Sequence, residues 1–201
     1  MRGAGPAPSL ADLQRVALKV FLPADAALDP RDLIPVFHRW IQTRAVDGLL
    51  IDVADYTHMT SGPAVLLAAH EGHYALERSG GRLGLQYTRR APLPGPLPDR
   101  LLALTRILVG AARQLETDPS LGGDVRFLGR EFACVANDRL LAPNTRDTLT
   151  AFRPALDPLL TRLAPDGEWT VTREPDHRER FAVIASGPGD PALETLEARL
   201  R

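Results

Sequence analysis

The proline-rich segment 91–98 (APLPGPLP) is the feature of this sequence that most limits how the chain can fold. Proline fixes the backbone angle φ and lacks the N–H that helices and central strands need, so the segment predicts a linker. It separates residues 14–90 from residues 99–186, and both parts show the order strand, helix, strand, turn, strand. Since 201 residues can bury one sizeable core, we expect a single domain over residues 14–186, built from two βαββ-like halves.

Short segments flank this predicted domain. Residues 1–13 contain the basic Arg2 but no apolar stretch behind it, so they are not typical of a secretory signal and predict a disordered leader. Residues 187–201 predict a linker followed by a short polar helix.

Hydrophobic periodicity indicates the secondary structure. Apolar residues alternate with other residues over Arg15–Leu22 (RVALKVFL), which is typical of a strand. Further strands are predicted at 48–55, 83–89, 124–136, 168–174 and 180–186. Helices are predicted at 29–41, 99–116 and 145–163, and Pro154 and Pro158 are expected to kink or restart the third. The predicted fold class is α+β, with a mainly antiparallel sheet and helices packed on one face.

The segment 63–78 is compatible with two structures. Its Ala, Leu and Glu residues favour a helix that Ser61 could cap. Val65-Leu66-Leu67 follows a turn, however, and the Gly80-Gly81 turn downstream is a hairpin signal. We favour a strand, and the helix stays open.

Composition narrows the class of protein. A net charge of −1 gives no long-range field, so neither nucleic acid nor an anionic membrane is indicated as a partner. The apolar run 64–69 is far shorter than the roughly 18 residues of a membrane span. The one cysteine, Cys134, excludes an internal disulfide and fits a reducing compartment. We expect a cytoplasmic protein.

Histidines concentrate in one part of the chain and raise the question of a metal site. His70-Glu71-Gly72-His73 resembles the zinc-protease signature H-E-x-x-H but is one residue too short. On a strand, positions i and i+3 point to opposite faces, so both imidazoles could not bind one ion. We therefore expect no metal. The alternative is a site made by His58, His70 and His73, with a metal or haem as cofactor.

Aromatic and histidine residues near strand ends suggest a binding cleft. On one strand, His70 and Tyr74 would share a face and could orient a ligand. The turn after the second predicted strand of each half carries Asp and His, with His58 close to Tyr56 in the first half and His177 in the second. The sequence thus predicts a ligand site lined by Tyr56, His58, His70, Tyr74 and His177.

Several segments resemble a known group of sequences. They are PVFHRWIQ, LLIDVADYTHM followed by SGP, AHEGHY, NDRLLAPNT and DHRERF. Together they are similar to a family of uncharacterised bacterial proteins from cyanobacteria and proteobacteria, over about residues 19–184. The resemblance implies no activity and no catalytic residues. The duplicated βαββ order also resembles the gyrase-inhibitor-like and SOUL haem-binding folds, which implies a small molecule held between the halves.

Three hypotheses about function follow from these patterns. The first is a small-molecule-binding protein with a cleft between two pseudo-equivalent halves. The second is an enzyme, metal- or haem-assisted, that uses the histidine cluster. The third is a non-catalytic adaptor that forms a homodimer or larger homo-oligomer. No triad-type nucleophile motif or phosphate-binding glycine loop occurs in the sequence, so enzymatic activity is left undecided.

Overall fold

The computed structural model describes residues 9–123 and 125–201 of the chain. The helices of this part are α1 (Leu33–Thr43), α2 (Leu97–Glu116), α3 (Arg146–Leu163) and α4 (Leu193–Leu200). Its strands are β1 (Val16–Phe21), β2 (Leu50–Asp55), β3 (Pro63–Ala69), β4 (Gly72–Glu77), β5 (Gly84–Arg89), β6 (Glu131–Ala136), β7 (Thr170–Arg173) and β8 (Ala182–Ser186). The predicted strand 124–136 is thus shorter than expected, and its first residue lies outside the described residues.

The strands form one antiparallel sheet in the order β2-β3-β4-β5-β1-β6-β8-β7. The helices pack against this sheet, which confirms the predicted α+β class. Strand β1 joins the two parts of the chain, because Lys19 pairs with Gln86 of β5 on one side and with Ala133 of β6 on the other. The sheet is therefore continuous across the proline-rich segment.

The two halves differ in their strand pairing. The second half follows the expected order β6-α3-β7-β8, and β6 pairs directly with β8. The first half has two additional strands, β4 and β5, and β1 pairs with β5 instead of β3. The halves therefore share an order of elements but do not have equivalent pairings.

The segment 63–78 forms a tight hairpin of β3 and β4, neither one long strand nor a helix. Its turn at His70 and Glu71 is tied to neighbouring strands, since the Glu71 carboxylate accepts from the Leu49 N–H at 3.1 Å. The Glu71 carbonyl also accepts from Arg90 N–H at 2.9 Å. Gly72 permits the close approach of β5, because a Cβ there would lie 2.3 Å from the Thr88 carbonyl oxygen.

The core lies between the helices and one face of the sheet. Leu18 and Val20 of β1 point into it, and the long helix α2 buries an apolar stripe against them. Trp40 of α1 meets Tyr74 edge-on, and Tyr74 packs against Tyr87 of β5 with ring centroids 4.7 Å apart. Aromatic rings thus fill the space between α1 and the sheet.

Helix α3 continues through both of its prolines, which corrects the expectation of a restart. Pro154 and Pro158 are four residues apart and both are exposed. The carbonyl groups that lose their partners at these positions therefore face solvent, where water can satisfy them. The opposite side of the helix buries Phe152, which packs edge-on against Phe181.

The ends of the described chain pack against the domain. Of the predicted leader 1–13, residues 1–8 lie outside the described residues, whereas Leu10–Asp12 form a 3-10 turn and Leu13 is fully buried. The predicted C-terminal helix is α4, whose Leu193, Leu196 and Leu200 are buried in the core. In the part of the chain that the structure describes, no helix combines the length and apolar character needed to cross a membrane.

Candidate functional site

The face of the sheet opposite the helices, here called the open face, carries a large cavity. Because side chains alternate along a strand, Lys19 and Phe21 point to this face while Leu18 and Val20 point to the core. The cavity has a volume of about 1080 Å³ and is lined by residues of β1, β4, β5, β6, β7 and β8. It therefore draws on both halves of the chain.

The lining of this cavity is strongly cationic. It contains the basic side chains of Arg15, Lys19, Arg82, Arg89, Arg90, Arg173 and Arg180. Only two carboxylates line it, Glu77 and Glu174. Since the whole chain carries a net charge of −1, positive charge is concentrated here and not spread over the molecule.

At one end of the cavity the charges are paired, and we call Lys19, Glu77, Arg82 and Glu131 the paired pole. The Lys19 ammonium donates to Glu77 Oε2 at 2.8 Å and to the Arg82 carbonyl at 2.6 Å. Arg82 binds Glu131 through two parallel bonds of 2.7 and 2.6 Å. Its guanidinium also stacks on the Phe21 ring, 4.0 Å from the centroid.

The backbone is shaped to admit the Lys19 side chain. Gly84 lies between Phe21 and Glu77 in the register of the sheet. A Cβ on Gly84 would lie 2.9 Å from Lys19 Cε and still closer to the Val20 carbonyl oxygen. Burial lowers the pKa of Lys19, and the adjacent Glu77 carboxylate opposes this shift.

The other end of the cavity holds arginines without acidic partners. We call Arg15, Arg90 and Arg180 the arginine rim. Within the described residues, none of them has a carboxylate at ion-pair distance. Arg180 donates to the amide oxygen of Asn137 at 2.5 Å. Arg89 and Arg173 lie nearby and donate to neutral oxygens, those of Ala91 and Asn144 among others.

The antiparallel register brings the arginine rim together. Ala17 pairs with Thr88, so continuing the two strands by two residues places Arg15 beside Arg90. On the other side of β1, the Asn137 N–H donates to the Arg15 carbonyl at 2.8 Å, which places Asn137 and its partner Arg180 next to Arg15. Three like charges therefore share one edge of the open face.

Two histidines lie at this edge of the cavity. His73 of β4 pairs with Thr88 on the open face, and His70 is exposed in the β3–β4 turn. Burial of the imidazole, and then the positive charge of Arg90, lower the pKa of His73. His73 is consequently a neutral donor and acceptor at pH 7.

Between the two ends, the cavity floor is apolar. We call Ala133, Val135, Ala182 and Ile184 the apolar trough; all four line the cavity from β6 and β8. The small side chains of Ala133 and Ala182 leave room above the sheet. Ile184 is 37% exposed, which is a large exposure for an isoleucine in the middle of a sheet.

The structure separates the five residues predicted to line a ligand site. Of these, only His70 lines the cavity. Tyr74 is buried under the opposite face of the sheet, where its hydroxyl donates to the Asp47 carbonyl at 3.3 Å. His70 lies in the turn and not on a strand, so it does not share a face with Tyr74 as expected.

The other three predicted residues lie in exposed turns and do not line the cavity. Tyr56 and His58 follow the edge strand β2, and His177 lies in the loop between β7 and β8. Within the described residues, His58, His70 and His73 do not form a group that could hold a metal ion. Of the five predicted residues, the structure thus brings only His70 to this cavity, and the β3–β4 turn separates His70 from the strand that carries Tyr74.

The sequence contains a signal for the cationic site in the positions of its arginines. Arg15 precedes β1, Arg89 and Arg90 end β5, Arg173 ends β7 and Arg180 precedes β8. In an antiparallel sheet, the start of one strand lies beside the end of its neighbour. Arginines at these termini therefore collect at one edge, although each is unremarkable in a sequence whose basic residues are nearly all arginine.

Comparisons of the chain with protein-family models, curated proteins and solved structures give no match. The resemblance to an uncharacterised bacterial family therefore stays an expectation, and the candidate site depends on its own geometry.

Proposed function

We propose that this chain is a cytoplasmic small-molecule-binding protein whose ligand is an anion held on the open face of the sheet. The observation that carries the proposal is the arginine rim: three guanidinium groups border one cavity, and none of them has a described carboxylate at ion-pair distance. The cytoplasmic location is proposed because the chain's one cysteine fits a reducing compartment.

The physical argument is electrostatic. Like charges held side by side repel, and the cost rises in a concave site where water is partly excluded. Arg82, which lines the same cavity, is by contrast paired with Glu131. A bound carboxylate or phosphate would supply the missing negative charge, and guanidinium groups bind both in a bidentate geometry.

Binding is favoured over covalent catalysis by the state of the two obvious nucleophiles. Lys19 already donates to Glu77 and to two backbone carbonyls, so its nitrogen has no free lone pair as an ammonium. Cys134 is buried, and this burial raises the pKa of its thiol to about 12. A metal- or haem-assisted enzyme remains the alternative proposal.

The test is anion binding by calorimetry, with inorganic phosphate and citrate as probes. The triple variant Arg15→Gln/Arg90→Gln/Arg180→Gln should lose binding at least tenfold, since it removes the arginine rim. The matched control, Arg130→Gln/Arg139→Gln/Arg146→Gln, removes the same charge from exposed positions that do not line the cavity. Equal loss in both variants, or no binding by the natural chain, would contradict the proposal.

A homodimer is a second proposal, and an apolar patch at the sheet edge favours it. The patch lies in and next to the edge strand β2. It consists of Leu49, Ile51, Tyr56 and Met59, which are 37–64% exposed. Edge strands with apolar side chains tend to pair with another chain. Light scattering at micromolar concentration should show a dimer that Ile51→Lys converts to a monomer, and a natural chain that is already monomeric would exclude this proposal.

A further inference from the structure

We infer that the ligand of the open face is an amphipathic acid, with one acidic group on the arginine rim and an apolar body along the apolar trough. This inference rests on the proposed anion-binding function. It adds the ligand's polarity, its direction in the cavity and its chemical class.

The direction follows from where unpaired charge lies. Arg15 directly precedes β1 and Lys19 lies four residues further along it, and a strand rises about 3.3 Å per residue, so the rim and the paired pole are about 13 Å apart. At the paired pole, Glu77 and Glu131 already neutralise Lys19 and Arg82. The acid group therefore binds at the rim, and no second anionic group is called for at the far end.

The body of the ligand follows from the trough. Ala133 and Ala182 have small side chains, and Ile184 of β8 exposes an apolar side chain to the cavity. Contact between these apolar side chains and water is unfavourable. A ligand whose apolar body covers them is therefore bound more tightly, because apolar surface is removed from water. A fully polar anion would leave Ile184 exposed.

The site is poorly suited to a nucleotide, although a nucleotide is also an anion. Base recognition in sequence-tolerant sites uses the free face of an aromatic ring. Phe21 carries the one phenyl ring among the described lining residues, and the Arg82 guanidinium lies over this ring while Lys19 lies 5.2 Å from the ring centroid. The phenyl face is therefore already covered by protein groups, and the other aromatic rings of the lining are the imidazoles of His70 and His73.

The experiment compares hexanoate, octanoate and decanoate with ADP, by calorimetry below the concentration at which the fatty acids form micelles. Each buried methylene contributes about 0.8 kcal/mol, which is about fourfold in affinity. The natural chain should therefore bind decanoate much more tightly than hexanoate, and ADP more weakly than decanoate. Ile184→Asn should reduce the gain per methylene. Leu140→Asn is the matched control, because Leu140 is 89% exposed and does not line the cavity.

The outcomes separate this inference from the function beneath it. Equal affinities for hexanoate and decanoate, both lost in the triple arginine variant, would overturn the amphipathic ligand and leave anion binding intact. ADP binding more tightly than decanoate would do the same. No binding of any of these anions or of phosphate would overturn both proposals. If Ile184→Asn and Leu140→Asn changed the gain in affinity per methylene equally, the apolar trough would not be part of the ligand site.

Discussion

The two ends of the open face contain similar residues but use them differently. At the paired pole, Lys19 and Arg82 each meet a carboxylate, and the Lys19 and Glu77 side chains are only 5% and 6% exposed. At the arginine rim, Arg15 and Arg90 are exposed and neither has a described carboxylate at ion-pair distance. Charges that are neutralised inside the protein stabilise the fold, whereas charges left without partners are available to a ligand. Each end should therefore respond differently to substitution.

The largest effect is expected at the paired pole. Lys19→Met should lower the free energy of unfolding by about 3–5 kcal/mol, because it leaves the Glu77 carboxylate buried without its partner. Lys19→Met/Glu77→Gln should recover part of this loss, since the buried charge is then gone as well. Urea unfolding of both variants measures the difference. A double variant that is no more stable than Lys19→Met would show that the unpaired Glu77 carboxylate is not the cause of the lost stability.

A smaller effect is expected for the outer pair of the same pole. The two bonds from Arg82 are the main reason that the pKa of Glu131 is lowered. Glu131→Gln should cost about 1–2 kcal/mol at neutral pH, reduced by the partial exposure of Arg82. Glu194→Gln, at an exposed position, should change stability by less than about 0.5 kcal/mol.

The pH dependence of this pair has a definite sign. The folded pKa of Glu131 lies below the unfolded value of about 4.3, so its contribution is fully present above that pH. It is lost as the pH falls through the lowered pKa. The natural chain and Glu131→Gln should therefore differ at pH 7 and converge in acid, as urea unfolding at several pH values can show. A constant difference would contradict this account.

Substitutions at the arginine rim should change stability only slightly, and any change should be an increase, whereas substitutions at the paired pole should lower stability. Arg15→Gln/Arg90→Gln should leave the free energy of unfolding unchanged or raise it by up to about 1 kcal/mol, because two adjacent like charges are removed. The gain should shrink in salt, which screens the repulsion. A loss comparable to that of Lys19→Met would mean that these arginines hold the fold together, and the contrast between the two ends would fail.

The smallest effect is a local titration. Arg90→Gln should raise the pKa of His73, since a neighbouring positive charge that disfavours the imidazolium has been removed. NMR titration of the imidazole measures this, with Arg146→Gln as the distant control. Phosphate bound at the rim of the natural chain should shift the pKa in the same direction. If the pKa of His73 is the same in Arg90→Gln as in the natural chain, Arg90 lies too far from the imidazole to affect its titration.

Much of the fold was predictable because its signals are local. Alternation in RVALKVFL places β1, and the Asp29-Pro30 pair starts the first helical segment, where the Asp29 carboxylate accepts from Arg31 N–H at 2.9 Å. Helix α2 begins at Leu97, so the last two residues of the proline-rich segment form its first turn, two residues before the predicted start at Asp99. These features depend on φ preferences and side-chain periodicity within a few residues, which the sequence contains directly.

The candidate site was less predictable because it depends on register. The prediction that His70 and Tyr74 share a face requires one unbroken strand over residues 63–78. The turn at His70 and Glu71 separates them, and it is fixed by contacts to Leu49 and Arg90, which are distant in sequence. A one-residue change of register moves side chains to the other face of a sheet. Four of the five residues that the sequence predicts for the ligand site therefore do not line the cavity: Tyr56, His58, Tyr74 and His177.

The sequence by itself determined the class of fold, the limits of most strands and helices, and the near-zero net charge of −1. Only the tertiary structure decided where the charges lie relative to one another. Strand pairing sets Arg15 beside Arg90 and Arg180, and sets Lys19 against Glu77. The physical reason is that net charge is a sum over the chain, whereas a binding site depends on distances, and these distances are fixed by hydrogen bonds between strands far apart in sequence.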